Sequence, residues 1–315
     1  MNETLVCIGE ALIDFIPDKK DCSFDEVTAF SPKVGGAPAN VCAAYAVLGG
    51  RSRLLTQLGN DPFGHKIIAK LSDLGVDMSC VDLTDEANTA LAFVSLDKSG
   101  NRTFSFYRKP SADMLYSPES VRSEYFNDAY ALHFCSVDLG DFPMRNAHIS
   151  AIEMARKKGA IISFDPNLRF PLWKSRELLR KTVTEFIPLC DILKISDEEL
   201  EFITGTDNIS LALPKLFSGN VKLVIYTCGS RGAYAFTKQT TAFSQGRKVD
   251  TVDTTGAGDG FIGSFLRKMN TMQISLDMLK SLDEKQLFEC LEFSNDFCAK
   301  SVQRSGAIDS YSDIK

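Results

Sequence analysis

Histidine is scarce in this chain: His65, His133 and His148 are the only three among 315 residues. Nine cysteines are present (Cys7, Cys22, Cys42, Cys80, Cys135, Cys190, Cys228, Cys290 and Cys298), but no two stand in a C-x-x-C pair. Together these shortages leave a zinc site with little support. The odd count, and thiols set in apolar runs such as Leu5-Val6-Cys7-Ile8, favour reduced, buried cysteines in a cytoplasmic protein. No Gly-Lys pair occurs, so the P-loop pattern is missing and a Walker-type nucleotide site with it. No apolar stretch reaches membrane-spanning length. Met1-Asn2-Glu3-Thr4 lacks the basic residues of a secretory leader, and Glu10 and Asp14 interrupt the apolar run behind it. Positive charge is not in excess either: 35 Lys and Arg stand against 41 Asp and Glu, a net charge of −6. That balance argues against non-specific nucleic-acid binding and against docking on anionic lipid.

What remains is an ordinary globular composition, 44% hydrophobic and 24% charged, in a chain long enough for one large domain. Strand-like and helix-like segments alternate. Residues 4–8, 53–58, 129–135, 160–164, 192–195 and 222–227 read as strands, and residues 35–48, 63–74, 144–158, 176–186 and 197–203 as helices between them. Two long helices close the chain, at 256–269 and 284–302, after strand-like segments at 233–237 and 241–244. Such alternation predicts an α/β fold, a mainly parallel sheet covered on both faces. Two extended stretches do not fit it: about 12–34, and 89–113 with a hairpin signal at Asp97-Lys98-Ser99-Gly100-Asn101. They predict a small separate β-sheet, a lid on a single domain spanning 1–315.

The most telling stretch is Asp253-Thr254-Thr255-Gly256-Ala257-Gly258-Asp259-Gly260-Phe261, directly before an apolar run of helical spacing. A glycine loop entering a helix N-terminus presents N–H groups and the positive end of the helix dipole to an anion. An acidic side chain there would repel phosphate as a ligand but would serve as a base. Asp259 is therefore the candidate catalytic base, with the N–H groups of Gly256, Ala257 and Gly258 stabilising charge on a transferring phosphoryl group. Gly258 to Gly263 formally matches G-x-G-x-x-G, but the helical remainder of the chain gives no βαβ context for a dinucleotide. A bland alternative is a helix start capped by Thr255.

Several motifs in order extend the argument to the whole chain: Gly9-Glu10-Ala11-Leu12-Ile13-Asp14-Phe15, Gly35-Gly36-Ala37-Pro38-Ala39-Asn40, Thr89-Ala90-Leu91-Ala92-Phe93-Val94, Phe106-Tyr107-Arg108, Asp165-Pro166-Asn167-Leu168-Arg169, Ser196-Asp197-Glu198-Glu199 and Thr227-Cys228-Gly229. With the Asp253–Asp259 run, these make the chain resemble the ribokinase-like (PfkB) family of carbohydrate kinases, its fructokinases most of all. The resemblance implies a ribokinase-like three-layer sandwich with a β lid, and ATP-dependent transfer to a sugar hydroxyl. The leading reaction is fructose to fructose 6-phosphate. Ribose, 2-keto-3-deoxygluconate or a catalytically silent sugar sensor are the alternatives.

Residue by residue, the resemblance implies that Asp14 bonds vicinal sugar hydroxyls, that Gly35 and Gly36 let the backbone reach the sugar, and that Asn40 offers it both a donor and an acceptor. Phe93, Phe106 and Arg108 would face it from the lid, though lid aromatics also serve packing or a homodimer contact. Asn167 and Arg169 would hold the sugar or the moving phosphoryl group. Lys194, Ser196, Thr227, Gly229, Gly232 and Asn295 would lie on the ATP side. Ser196 stands where the family's N-x-x-E motif has asparagine. Glu199, with Glu198 as the alternative, would serve Mg²⁺ through water. Asp253, Thr255, Ser301, Gly306 and Ser310 align with positions that bind a monovalent cation such as K⁺ in some members.

Overall fold

The structure is a computed structural model that describes residues 3–19, 24–96, 102–312 and 314. The hairpin tip at 97–101 and Cys22 lie outside the described residues.

The first half of the chain lays down β1 (Thr4–Ile8), β2 (Leu12–Pro17), β3 (Phe30–Gly35), α1 (Ala37–Val47), β4 (Arg51–Gly59), α2 (Pro62–Asp73), β5 (Val76–Asp77), β6 (Val81–Thr84), β7 (Ala90–Leu96) and β8 (Arg102–Tyr107). Then come β9 (Ala129–Cys135), α3 (Pro143–Lys157), β10 (Ile161–Asp165), α4 (Arg176–Phe186), β11 (Ile192–Ser196), α5 (Asp197–Thr204), α6 (Ile209–Leu216) and β12 (Leu223–Thr227). The chain ends with β13 (Gly232–Phe236), β14 (Thr241–Gln245), α7 (Ala257–Thr271), α8 (Glu284–Ser301) and α9 (Ala307–Tyr311).

Ten strands form the central sheet, in the order β14-β13-β12-β11-β10-β9-β1-β4-β5 with β6 also on β4. From β12 to β5 and β6 the pairing is parallel; only the β12–β13 and β13–β14 pairings are antiparallel, so β13 alone is reversed. Strand periodicity sorts the core. Leu5, Cys7, Leu54, Ala131 and Ile161 face one buried cluster, shared with α1, α7 and α8. Their chain neighbours Val6, Ile8, Leu55, Leu132 and Ile162 face another, shared with α3, α4 and α5. Consecutive side chains on opposite faces of a doubly covered sheet give a three-layer α/β/α sandwich.

The two misfit stretches build a separate four-stranded sheet, β3-β2-β7-β8. Its β2 and β3 follow β1 directly, so the lid is covalently continuous with the middle of the large sheet.

Two helices escape the sequence reading. α6 holds Pro214 inside a short segment, and the Asn208 side chain caps it by accepting from Ser210 N and Leu211 N. α9 has only 5 residues, too few to show a period. At α7 the cap is Gly256, with φ 74, not Thr255. The Thr255 hydroxyl turns away and donates to Asp253 Oδ1 at 2.7 Å.

Candidate active site

The C-terminal ends of β1, β10, β11 and β12 meet the start of α7, the edge where open parallel sheets hold ligands. Asp259 sits in the first turn of α7, buried at 6% exposure. Its Oδ2 accepts from Asn40 Nδ2 at 2.8 Å and its Oδ1 from Asn167 Nδ2 at 3.0 Å. Burial pushes its pKa up, while Asn40, Arg169, Lys194 and Asn167 pull it down. Two neutral amides thus orient the carboxylate without neutralising it, and no described cation lies within ion-pair distance. Asn167 reaches it from a left-handed backbone, φ 45, a conformation asparagine tolerates better than most residues.

Gly256 needs its lack of a side chain twice over: its φ is positive, and a Cβ would fall 2.4 Å from Ala307 Cβ. The helix start leaves N–H groups without intrahelical carbonyls. The Ala257 amide, expected from sequence to face the phosphoryl oxygens, instead donates to Thr254 O at 3.1 Å, closing a turn. Lys194 comes up beside this loop, its Nζ 3.0 Å from where a Gly258 Cβ would sit. Lys194 is buried and bonded to Asp165 Oδ2 at 2.7 Å. Burial alone would lower its pKa, but Asp165, Glu199 and Asp259 carry it above the usual lysine value, so it stays an ammonium.

On the lid side, Asp14 lies over Gly35 so closely that a Cβ there would be 2.4 Å from its Oδ2. Gly36, at φ 105, would place a Cβ 2.6 Å from Glu10 O. Asn40 follows one turn into α1, its N–H on Gly36 O at 2.8 Å and its buried Oδ1 without a partner.

The pleat separates the two lid aromatics. Ala92 pairs with both Asp14 and Phe106, so Phe106 shares the face of Asp14. Phe93 pairs with Phe15 on the opposite face. There it stacks on Phe15 at 4.7 Å and meets Phe30 and Tyr107 edge-on. Phe93, expected from sequence to act beside Phe106, thus lies on the face opposite Asp14 and Phe106. Arg108 does not project from the lid either. It is buried, joined to Asp113 and Asp138, with Nε on Ser111 Oγ at 3.2 Å.

On the far side of the α7 loop, Lys194, Ser196, Thr227, Gly229, Gly232, Gly258 and Asn295 line one cavity of about 390 Å³. Gly246, Arg247 and Cys298 line it too; sequence reasoning passed over them because nothing local marks them. Asn295 is tied down, its Nδ2 donating to Ser244 Oγ and O at 3.0 Å. A larger cavity of about 550 Å³ lies at the opposite ends of the strands, beside Arg51, Tyr130 and Gly159, far from these groups.

Glu199 has both oxygens engaged: Oε1 accepts from Leu168 N at 2.8 Å, and Oε2 from Ser196 N at 2.9 Å and Ser196 Oγ at 3.0 Å. This is a capping box at the start of α5. Glu198, not Glu199, lines the cavity. The described residues hold no group of three or more His, Cys, Asp or Glu placed to bind a metal. Around the α7 loop, Asp253 accepts from Thr255 N at 2.8 Å and from Gly306 N at 3.0 Å, while the Ser301 and Ser310 hydroxyls bond to Cys298 O and Ala307 O.

The family described as "pfkB family carbohydrate kinase" matches residues 2–314. Fructokinase-2 of Solanum lycopersicum is 41% identical over 305 residues, 96% of this chain and 92% of that protein. A crystal structure of fructokinase with bound ATP from Xylella fastidiosa superposes with a TM-score of 0.91 at 32% identity, covering 98% of this chain and 95% of that one. A Vibrio cholerae O395 fructokinase double mutant, in a form bound to fructose, ADP and potassium ion, gives a TM-score of 0.86 at 32% identity, with 98% and 95% covered.

Proposed function

The chain belongs to the pfkB family of carbohydrate kinases, and from that premise we propose that it is an ATP-dependent fructokinase, making fructose 6-phosphate from fructose. The observation that carries the proposal is the Asp259 carboxylate, held by Asn40 and Asn167 at the α7 start, between the lid and the cavity of about 390 Å³. Fructose lies on the lid side, against Asp14, Gly35, Gly36, Asn40, Phe106, Asn167 and Arg169, with Arg108 buried behind. ATP occupies the cavity, its terminal phosphate at the α7 loop.

Asp259 takes the proton of the sugar hydroxyl as that oxygen bonds to the γ-phosphorus, and the bond to ADP breaks. The helix start, Lys194 and the Arg169 guanidinium, which donates to Leu168 O at 3.1 Å and pairs with no carboxylate among the described residues, stabilise charge on the phosphoryl oxygens. A magnesium ion would neutralise the β- and γ-phosphates. This chain offers it Glu198 at the cavity wall, and Glu199 only through water or after its cap opens. Potassium beside Asp253 and Gly306 would brace the α7 loop. The lid's aromatic face, with Tyr107 64% and Phe24 49% exposed, suits pairing with a second copy. A cytoplasmic location accords with the described cysteines, all free.

The test is coupled ADP release with fructose, ribose, 2-keto-3-deoxygluconate and adenosine. Fructose is expected to give the highest kcat/KM, and no sugar-stimulated release from any of them would sink the kinase reading.

A further inference from the structure

Behind the Gly35-Gly36 turn lies a buried cluster that the chemistry above does not use. Glu10, Asp113 and Asp138 surround the single guanidinium of Arg108, and all four are buried. Arg108 bonds to Asp113 and Asp138, and Ser111 Oγ donates to Asp113 Oδ1 at 2.5 Å. Glu10 is apart from those bonds. Its Oε1 accepts from Ala37 N at 2.8 Å, the first residue of α1, while its Oε2 has no partner. Asp138 Oδ2 is also unpartnered and lies 3.8 Å from where a Gly9 Cβ would sit.

Three carboxylates against one cation in a water-poor pocket leave two uncompensated negative charges, a state that proteins avoid by keeping a proton. Asp113 and Asp138 have the guanidinium; Glu10 has only an amide on one oxygen. We propose that Glu10 is held as a neutral carboxylic acid and acts as a positioning residue for the sugar site, fixing the Gly36–Asn40 turn through Ala37. Asn40, three residues on, holds Asp259. Loss of the Glu10 proton to solvent creates a second uncompensated charge under this turn and loosens the sugar side. The groups that face Glu10 are Asp138 and the Cys135 thiol from the end of β9, and Arg108 from the end of β8, with Asp113 beyond it. Burial, then Asp138, pushes the Glu10 carboxyl up to about 8 against the pull of Arg108 and the Ala37 amide. The titration therefore falls where assays can follow it.

The inference rests on the placement of the sugar against α1, and the experiment separates the two. Fructose and ATP saturation curves are measured from pH 6 to 10 for the wild type, Glu10→Gln and Glu10→Ala. Glutamine keeps the acceptor for Ala37 N and cannot ionise. The expected results are a wild-type fructose KM that rises above pH about 8 with ATP KM steady, a Glu10→Gln variant with wild-type KM at pH 7 and no such rise, and a Glu10→Ala variant with fructose KM raised about tenfold, the scale of one lost buried hydrogen bond. If Glu10→Gln raises KM as far as Glu10→Ala, or keeps the alkaline rise, the neutral-acid assignment is overturned while the kinase reading stands. Should Glu10→Ala fail to fold, the Glu10→Gln profile alone decides. If the wild type turns over no sugar, it is the kinase reading that has failed.

Discussion

Tyr311 donates its hydroxyl to the carbonyl of Gly256 at 2.5 Å, joining the end of the chain to the residue that opens α7. The same carbonyl accepts from Gly260 N at 2.7 Å. Two donors on one oxygen fix the peptide plane between Gly256 and Ala257, and with it the direction of the helix's free N–H groups. Tyr311→Phe keeps the packing and removes one donor. It is expected to cost about 1 kcal/mol of stability and to lower kcat more than either KM, because the loop it braces acts on the transferring phosphate. Thermal melts and steady-state kinetics check both parts. An unchanged kcat would show that Gly260 alone suffices.

Gly35→Ala puts a Cβ where Asp14 Oδ2 now lies, 2.4 Å away, so the carboxylate must swing aside. The steric cost is of order 1–3 kcal/mol, and it falls on the sugar side. Fructose KM should rise at least tenfold while the ATP KM stays put. An equal rise in both would mean that Asp14 does not serve the sugar.

Much of this architecture was legible in the sequence. The strand at 129–135 and the helix at 176–186 match their observed bounds: the strand is an unbroken buried run, and the helix is an apolar stripe opened by its Ser175 cap. The glycine loop before α7 was legible because only backbone needs explain that spacing. Other features depend on partners distant in the chain. The face on which Phe93 points follows from pairing with Phe15, 78 positions earlier by number. The burial of Arg108 follows from Asp138, 30 positions later. The Ala257 amide is lost to Thr254 O through a local turn that Thr-Thr-Gly permits but does not announce.

Lys194→Ala removes the cation from a buried ion pair and leaves Asp165 with no charge partner. Breaking such a pair from one side costs about 3–5 kcal/mol. A marked fall in Tm is expected, together with a raised ATP KM, since the ammonium sits beside Gly258. Lys194→Met, which restores volume without charge, should recover part of the Tm and none of the ATP affinity. Recovery of both would deny Lys194 a role at the phosphates.

Acid sensitivity should come from the two buried histidines. Burial, helped by Lys194, lowers His133 to about 3, and burial lowers His148 to about 4, its Nδ1 bonded to Met144 O at 2.8 Å. Both are neutral when folded and take up protons near 6.5 when unfolded. Between those values each histidine binds more protons unfolded than folded, so its own contribution to stability is complete above about pH 6.5 and declines as pH falls towards 4 and 3, while Glu10, Asp138 and Asp165, pushed by burial up to about 8, 7 and 7, contribute the opposite slope over the same range. The histidine part is read by difference: denaturant titrations at pH 7, 6 and 5 should show the stability of the wild type relative to His148→Gln falling as pH falls. A difference between wild type and His148→Gln that does not change with pH over that range would mean that His148 is not held neutral in the fold.

Asp259→Asn keeps the shape of the proposed base and removes its proton affinity. Asn40 and Asn167 currently donate to two carboxylate oxygens; an amide can accept at only one of them, so some local rearrangement follows. With burial favouring the neutral side chain, stability should hold or rise. Turnover should fall by about 10²–10⁴, the usual worth of a positioned proton acceptor, while ATP binding measured by calorimetry stays within a few-fold. The wild-type rate should also fall on the acid side around a pKa above the ordinary aspartate value, because burial raises this group and only its charged form can take the proton. An Asp259→Asn variant with near-normal turnover, or an acid limb unaltered by the substitution in the residual activity, would remove Asp259 from the chemistry.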